Sequence, residues 1–237
     1  MAYKISVAMA VYNGAKYISC QLDSILPQLR PQDELIISYD ESTDGTLKII
    51  EQYASLDNRI HILRNENPGV TGNFSSAISA CDGDYIFLSD QDDFWLPEKV
   101  EIVMDCFLQR HADLVIHNGI HTDSELNPTG EPFFDIYRIG DGKLKNIMKP
   151  RFSGCCMAFT REMKRIILPM PEIHGYDQWI ALICEFCGHI EYPQEVLLLH
   201  RLHENNVTPA KSRPLPVILK MRLRLVLNLH KRLKAVK

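Results

Sequence analysis

The 237-residue chain predicts an α/β protein: a mostly parallel sheet with helices on both faces. Three observations predict it. Short apolar runs without helical period alternate with segments of helical spacing over the first 118 residues. The apolar runs are strand-length and end at Gly, Asn or Asp. The composition, 46% hydrophobic and 24% charged, is that of a chain able to bury a core.

The elements follow in order. ISVAMAVYN (5–13), closed by Asn-Gly, reads as a buried strand. Ile18, Leu22, Ile25 and Leu29 then fall at helical spacing, with Pro27 near the stop. ELIISYD (34–40) is a second strand. STDGTLKIIEQYA reads as a helix with Ser42, Thr43 and Asp44 as cap candidates. RIHILRN (59–65) is a third strand, NFSSAISAC a helix and DYIFLS (84–89) a fourth strand. PEKVEIVMDCFLQRH is a helix with Pro97 near its first turn, and DLVIHN (113–118) a fifth strand. After residue 119 the rhythm breaks into a polar loop and a mixed stretch. Helical spacing returns at YDQWIALICEFCG, and LLLHRLHENN closes the folded part.

Charge and cysteine usage narrow the class. Residues 1–204 hold 17 basic and 30 acidic residues, a net of −13. The remaining 33 residues hold nine Lys or Arg and no acid. An acidic body is a poor general nucleic-acid binder, whereas a basic tail suits a negative partner. Seven cysteines, an odd count in apolar segments, read as reduced thiols. The N-terminus lacks the basic leader of a signal peptide, and no apolar run nears the roughly 20 residues of a membrane span, so a cytoplasmic chain is expected.

Ligands of such sheets bind beyond the carboxyl ends of the strands. Three clusters sit there: Tyr12-Asn13, Asp40 to Asp44, and Asp90 to Asp93. The third, in IFLSDQDDFW, packs like charges at spacings that raise one another's pKa unless a cation intervenes. Mg²⁺ or Mn²⁺ takes oxygen ligands and shares them with a substrate phosphate, which suits Asp90 and Asp92. Plain turn chemistry is the other reading. Asp40 is placed for a ribose or base edge, while Asp44 reads as structural.

VAMAVYNGAKYISCQLDSIL, YDESTDGT and GNFSSAISACDGDYIFLSDQDDFWLPEKV, in that order, resemble the family 2 glycosyltransferases. FSGCCMAFTR and YDQWIALICEFCGHIEYPQEVLLLHRLHENNV resemble the bacterial polysaccharide and rhamnosyltransferase-like branch; the likeness runs over about residues 4 to 208. It implies a GT-A fold with a Rossmann-like sheet. It divides the chain into a nucleotide-sugar-binding part (1–118), an acceptor and catalytic-base part of the same domain (119–208) and a basic tail (209–237). It implies an inverting, metal-dependent transfer from a UDP- or dTDP-linked sugar to a hydroxyl of a growing, lipid-linked surface glycan.

The residues carry over by motif. Ala10, Tyr12, Asn13, Asp40, Asn73 and Asp90 fall at donor-nucleotide positions, and Asp92 and His203 at metal positions, with Mn²⁺ or Mg²⁺ implied. Asp177 falls at the catalytic base, and Trp179 and Gly154 at acceptor positions. Asp93 is expected to support the turn that follows. Other readings stay open: Trp179 as core, His203 as a surface histidine, Asn73 as a helix cap. The branch has His-Asp-Trp-Trp around the base, where this chain has Tyr-Asp-Gln-Trp. Cys184-x-x-Cys187 lies on one side of a helix without a second pair, and core packing is expected.

The tail after Pro216 places Ile218, Met221, Leu225, Leu229 and Leu233 on one side and Lys220, Arg224, Lys231 and Lys234 on another. A basic amphipathic helix over 216–237 can lie on an anionic membrane, here the inner face of the cell membrane. An oligomer contact or a packed terminal helix is the alternative. A sugar nucleotidyltransferase would need a Gly-rich, basic loop where VYNGAKY stands. A non-catalytic nucleotide-sugar-binding or membrane-recruited scaffold is the alternative function.

Overall fold

The structure, a computed structural model, describes residues 3–149, 151–173, 175–204, 206 and 214–236. The tail residues Lys211, Arg213 and Lys237 lie outside them.

The expected sheet is present. Its first half runs β1 (Ile5–Val11), α1 (Ile18–Ile25), β2 (Glu34–Tyr39), α2 (Thr46–Leu56), β3 (Ile60–Arg64), α3 (Val70–Ala80) and β4 (Tyr85–Ser89). Then come β5 (Phe94–Trp95), α4 (Lys99–Arg110), β6 (Leu114–Ile116), β7 (Asn118–Thr122), β8 (Pro128–Pro132), α5 (Phe133–Tyr137) and α6 (Lys143–Met148). The chain continues through β9 (Met157–Thr160), α7 (Arg161–Ile167), α8 (Tyr176–Cys187), β10 (Ile190–Glu191), β11 (Val196–Arg201) and α9 (Leu215–Val236).

The main sheet has the order β10-β6-β9-β4-β1-β2-β3. All pairs are parallel except those of β9, which lies antiparallel between β4 and β6. The two-residue alternation of the strands splits the core. Val7, Met9, Leu35, Ile37 and Phe87 pack with α1, α2 and α4 on one face. Ala8, Ile36, Ile86 and Leu88 pack with α3, α7 and α8 on the other. A second sheet, β5-β11-β7-β8, stands beside the site and brings the β11 end to the β4 end.

Three expectations need correction. α3 starts at Val70, ahead of the expected Asn73, and its cap is Gly69. Asn73 is therefore no cap. The residue before α2 is Gly45 at φ 84°, a left-handed position that suits glycine; of the three candidates Asp44 bonds the first helical N–H, that of Thr46, while Ser42 and Thr43 bond Asn13. The apolar stripe expected to lie free on α9 is largely spent inside the protein: Leu225 and Leu229 are buried with α8, and Leu233 packs against the same core.

Candidate active site

The parallel register of β2, β1 and β4 brings their carboxyl ends together, with Val11 beside Tyr39 and Met9 beside Ser89. Tyr12, Asn13, Asp40 and Asp90 follow at once. Ala10, half-buried on β1, packs against the core beneath them. Tyr12 exposes 56% of its surface. Its backbone is clamped by Gln91: Tyr12 N donates to Gln91 Oε1 (2.8 Å) and Gln91 Nε2 donates to Tyr12 O (2.7 Å). Gly14 is glycine because a Cβ there would overlap the Gln91 amide. Asn13 sits at φ 48°, which asparagine tolerates, and its Oδ1 accepts from Thr43 N (2.9 Å) while its N donates to Ser42 Oγ (2.9 Å). Asp44 accepts from Ala15 N (3.0 Å) and Thr46 N (3.1 Å); burial opposes its charge, but these bonds win and hold its carboxyl low.

Asp40 engages both oxygens, accepting from Asn65 Nδ2 (2.6 Å) and Gly69 N (2.9 Å). It thereby fixes the loop between β3 and α3. Asn73 donates from Nδ2 to Val11 O (3.1 Å), while its buried Oδ1 has no partner among the described residues. It pins α3 to the end of β1.

The acidic turn is the electrostatic centre. Asp90 is half-buried and Asp93 is 1% exposed. Burial, and then neighbouring carboxylates, push both carboxyls well above the usual range. Asp93 Oδ1 accepts from Arg201 N (3.2 Å), which ties the acidic turn to β11 rather than to the turn that follows it. Lys99 is wholly buried, donates to Cys155 O (3.0 Å) and lies 3.9 Å over the Trp95 ring. Burial lowers its amine to about 8.

Asp92 Oδ2 and His203 Nε2 are 2.8 Å apart. Neighbouring ligands of one octahedral divalent cation stand about 3 Å apart, given bonds of roughly 2.1 Å. The pair is hydrogen-bonded here, and its spacing is close to that of two ligands sharing one cation. His203 stacks on Tyr17 (centroids 4.9 Å apart), and the Arg201 guanidinium covers the same ring at 4.6 Å. Arg201 Nε also donates to Asp92 O (2.9 Å), so β11 holds the acidic turn from one side. The ligand atoms of Asp90, Asp93 and Cys155 gather within 4.8 Å. A hydrogen bond with Cys156 and burial keep the Cys155 thiol protonated, so it is a weak ligand, and oxygen donors select a hard cation.

Asp177 begins the first turn of α8 and accepts from Gln178 N (2.7 Å). Burial, partly offset by the helix amide groups and Arg222, pushes its carboxyl up to about 6. It remains ionised at neutral pH yet is more basic than an ordinary aspartate. Its charge contributes, after burial, Asp93 and Asp92, to raising the Asp90 carboxyl. Gly154 opens a short turn at the start of β9, where a Cβ would overlap the Tyr176 hydroxyl. Trp179 does not floor this pocket. It is 1% exposed, donates to Ile167 O (3.0 Å) and belongs to the core. Cys184 is also core, with its thiol raised by burial.

Comparison with known proteins decides the family. The model of "Glycosyl transferase family 2" matches residues 6–166. The chain belongs to glycosyltransferase family 2. A relative is TuaG of Bacillus subtilis, named for teichuronic acid biosynthesis: 27% identical over 219 residues, 87% of this chain and 82% of TuaG. Three other curated relatives are longer, and the chain spans 46% to 66% of them. The fold matches residues 1–349 of S. aureus TarS bound to UDP-GlcNAc, with a TM-score of 0.73, 20% identity and coverage of 95% and 67%. It also matches the Pyrobaculum calidifontis mannosyltransferase PcManGT bound to GDP-Man and Mn²⁺, with a TM-score of 0.67, 17% identity and coverage of 99% and 75%.

Several residues of this family 2 site escape a reading by motif. Gln91 is the unremarked middle of Asp-Gln-Asp, although its short amide side chain inside an acid pair was a signal. Tyr17 and Arg201 meet Asp92 and His203 only through the fold. Gln178, which stands where the branch has tryptophan, is 1% exposed. It donates to Asn146 O (2.6 Å) and Ile147 O (3.2 Å) and accepts from Arg222 Nη1 (2.5 Å), tying α6 and α9 to α8.

Proposed function

We propose that this glycosyltransferase moves a sugar, with inversion at the anomeric carbon, from a UDP- or dTDP-linked donor to a hydroxyl of a lipid-linked bacterial surface glycan. One observation carries the reading: Asp90 and Asp93 gather with Cys155 within 4.8 Å, and the adjoining Gly154 lies against the hydroxyl of Tyr176, the neighbour of Asp177. The exposed Tyr12 ring receives the base, and Asp40, Asn73 and Asp90 shape the ribose side. Asp92 and His203 would hold Mn²⁺ or Mg²⁺, whose charge, when bound, stabilises the leaving diphosphate. Asp177 takes the proton from the acceptor hydroxyl as that oxygen attacks the anomeric carbon. The bond from that carbon to the diphosphate oxygen breaks on the opposite face. A carboxyl near 6 suits this role, being ionised yet avid for a proton.

The outward face of α9 supports the lipid-linked acceptor. Leu215, Leu219, Leu223 and Leu227 are exposed beside Lys220, Arg224, Lys231 and Lys234. An anionic lipid surface complements an apolar stripe bordered by cations. Among the described residues no helix is long and apolar enough to cross a membrane.

The test is calorimetric titration with UDP, dTDP, GDP and CDP, each with Mn²⁺ and with EDTA. One nucleotide should bind only with metal, and Asp92→Ala should abolish that dependence. Asp177→Asn should bind the donor and lose transfer. Metal-independent binding of every nucleotide would refute the assignment of Asp92 and His203.

A further inference from the structure

We propose that the hydroxyl of Tyr176 hydrogen-bonds a hydroxyl of the sugar being transferred, and so helps to set which sugar the enzyme accepts. The inference rests on the glycosyltransferase reading of the site. Three observations lead to it.

The ring is held in place. Tyr176 stacks on Phe74 with centroids 4.2 Å apart and planes at 20°, and Phe74 is fully buried. A phenol anchored in this way holds its oxygen in one place.

The oxygen, in contrast, has nothing to bond. Tyr176 is 9% exposed, yet its hydroxyl makes no hydrogen bond among the described residues. A hydroxyl held in one place without such a partner is open to a ligand, as donor and as acceptor. The opposing turn makes room for it: Gly154 lacks the Cβ that would overlap this hydroxyl.

The surroundings define the ligand. The groups whose charge reaches this oxygen are Asp90, Asp177, Cys155 and Asp93. Burial, then these acids, hold the phenol protonated, so it remains a donor. An anionic phosphate would be repelled there. A neutral sugar hydroxyl can accept from the phenol and donate to a carboxylate. The pocket between Asp90, the first acid of the turn, and Asp177, the base, is where the transferred sugar must lie if the diphosphate sits on the Asp92 and His203 side. Tyrosine stands here where the branch pattern has histidine.

The experiment uses the full chain with Mn²⁺. Dissociation constants are measured for UDP and dTDP, and for UDP-glucose, UDP-galactose, UDP-N-acetylglucosamine and dTDP-rhamnose. Tyr176→Phe keeps the stacked ring and removes only the oxygen. It should weaken the preferred sugar nucleotide about three- to tenfold, the worth of one neutral hydrogen bond, and leave the parent diphosphate within twofold. Selectivity across the sugar panel should flatten. Gly154→Ala, which crowds the same oxygen from the other side, should produce the same pattern. The proposal is overturned if both variants keep the wild-type ratio of sugar nucleotide to diphosphate affinity, or if Tyr176→Phe slows only the acceptor-dependent step. Failure of wild type to bind any of the diphosphates would overturn the donor-site reading itself, and the proposal with it.

Discussion

Asp177→Asn should make the protein inactive and more stable at once. In the fold the Asp177 carboxyl is pushed from the ordinary 3.8 to about 6, chiefly by burial. Each unit is worth about 1.4 kcal/mol, so holding the ionised form costs the folded state up to about 3 kcal/mol at neutral pH. The sign follows from linkage. The folded state binds this proton more tightly than the unfolded chain does. The favourable contribution is therefore complete below about pH 4 and is lost as pH rises through about 6. Asparagine is neutral throughout and escapes that loss. At pH 8 the variant should melt roughly 2 to 8 °C above wild type, and the difference should shrink to near zero at pH 4. Activity should move the other way, with transfer falling about 10² to 10⁴-fold, as for loss of a general base. Wild-type kcat/KM should rise with pH through about 6. Thermal melts of both proteins from pH 4 to 8, beside a transfer assay, test the argument. A variant no more stable at pH 8, or a gap independent of pH, would falsify it.

Other outcomes follow from the same geometry. Gln91→Ala removes both bonds to the Tyr12 backbone and should weaken nucleotide binding about tenfold by calorimetry, with little change in melting temperature. Gln178→Ala removes its bonds to Asn146, Ile147 and Arg222 and should cost about 2–3 kcal/mol. In that variant α9 should also yield to trypsin sooner than in wild type; equal cleavage would show that Gln178 does not hold the helix. Replacing Lys220, Arg224, Lys231 and Lys234 by Gln should release the protein from phosphatidylglycerol vesicles in a sedimentation assay. Activity on a soluble acceptor should survive, because these side chains face outward.

β1, β2 and β4 were legible because each is an apolar run of five to seven residues buried on both faces and closed by polar turn residues. β9 was not, because four residues, Met157 to Thr160, carry too little pattern to show that they pair with β4 and β6. β5 and β10 are two residues each. α3 hid its start behind Gly69 and Gly72, which weaken helical spacing. In the site, acids at strand ends were visible because strand ends are where a parallel sheet binds ligands. Arg201 was not, since its bond to Asp92 spans 109 positions and follows from no local rule. Trp179 and the apolar stripe of α9 were readable as large apolar residues, but which neighbour each meets is decided by packing.

The central place of β9 bears on how the protein is made. β4 pairs with β9 along one edge, and Met157 lies 68 positions after Ser89. A ribosome adding about 5–20 residues per second needs roughly 3 to 14 s to cover that distance. Through that interval the nascent chain carries an apolar strand with an open edge, the kind of surface that recruits other strands. Slow codons or starvation between these two segments would lengthen the exposure. Loss of the protein to aggregation should then depend on translation speed there more than on the stability of the finished fold.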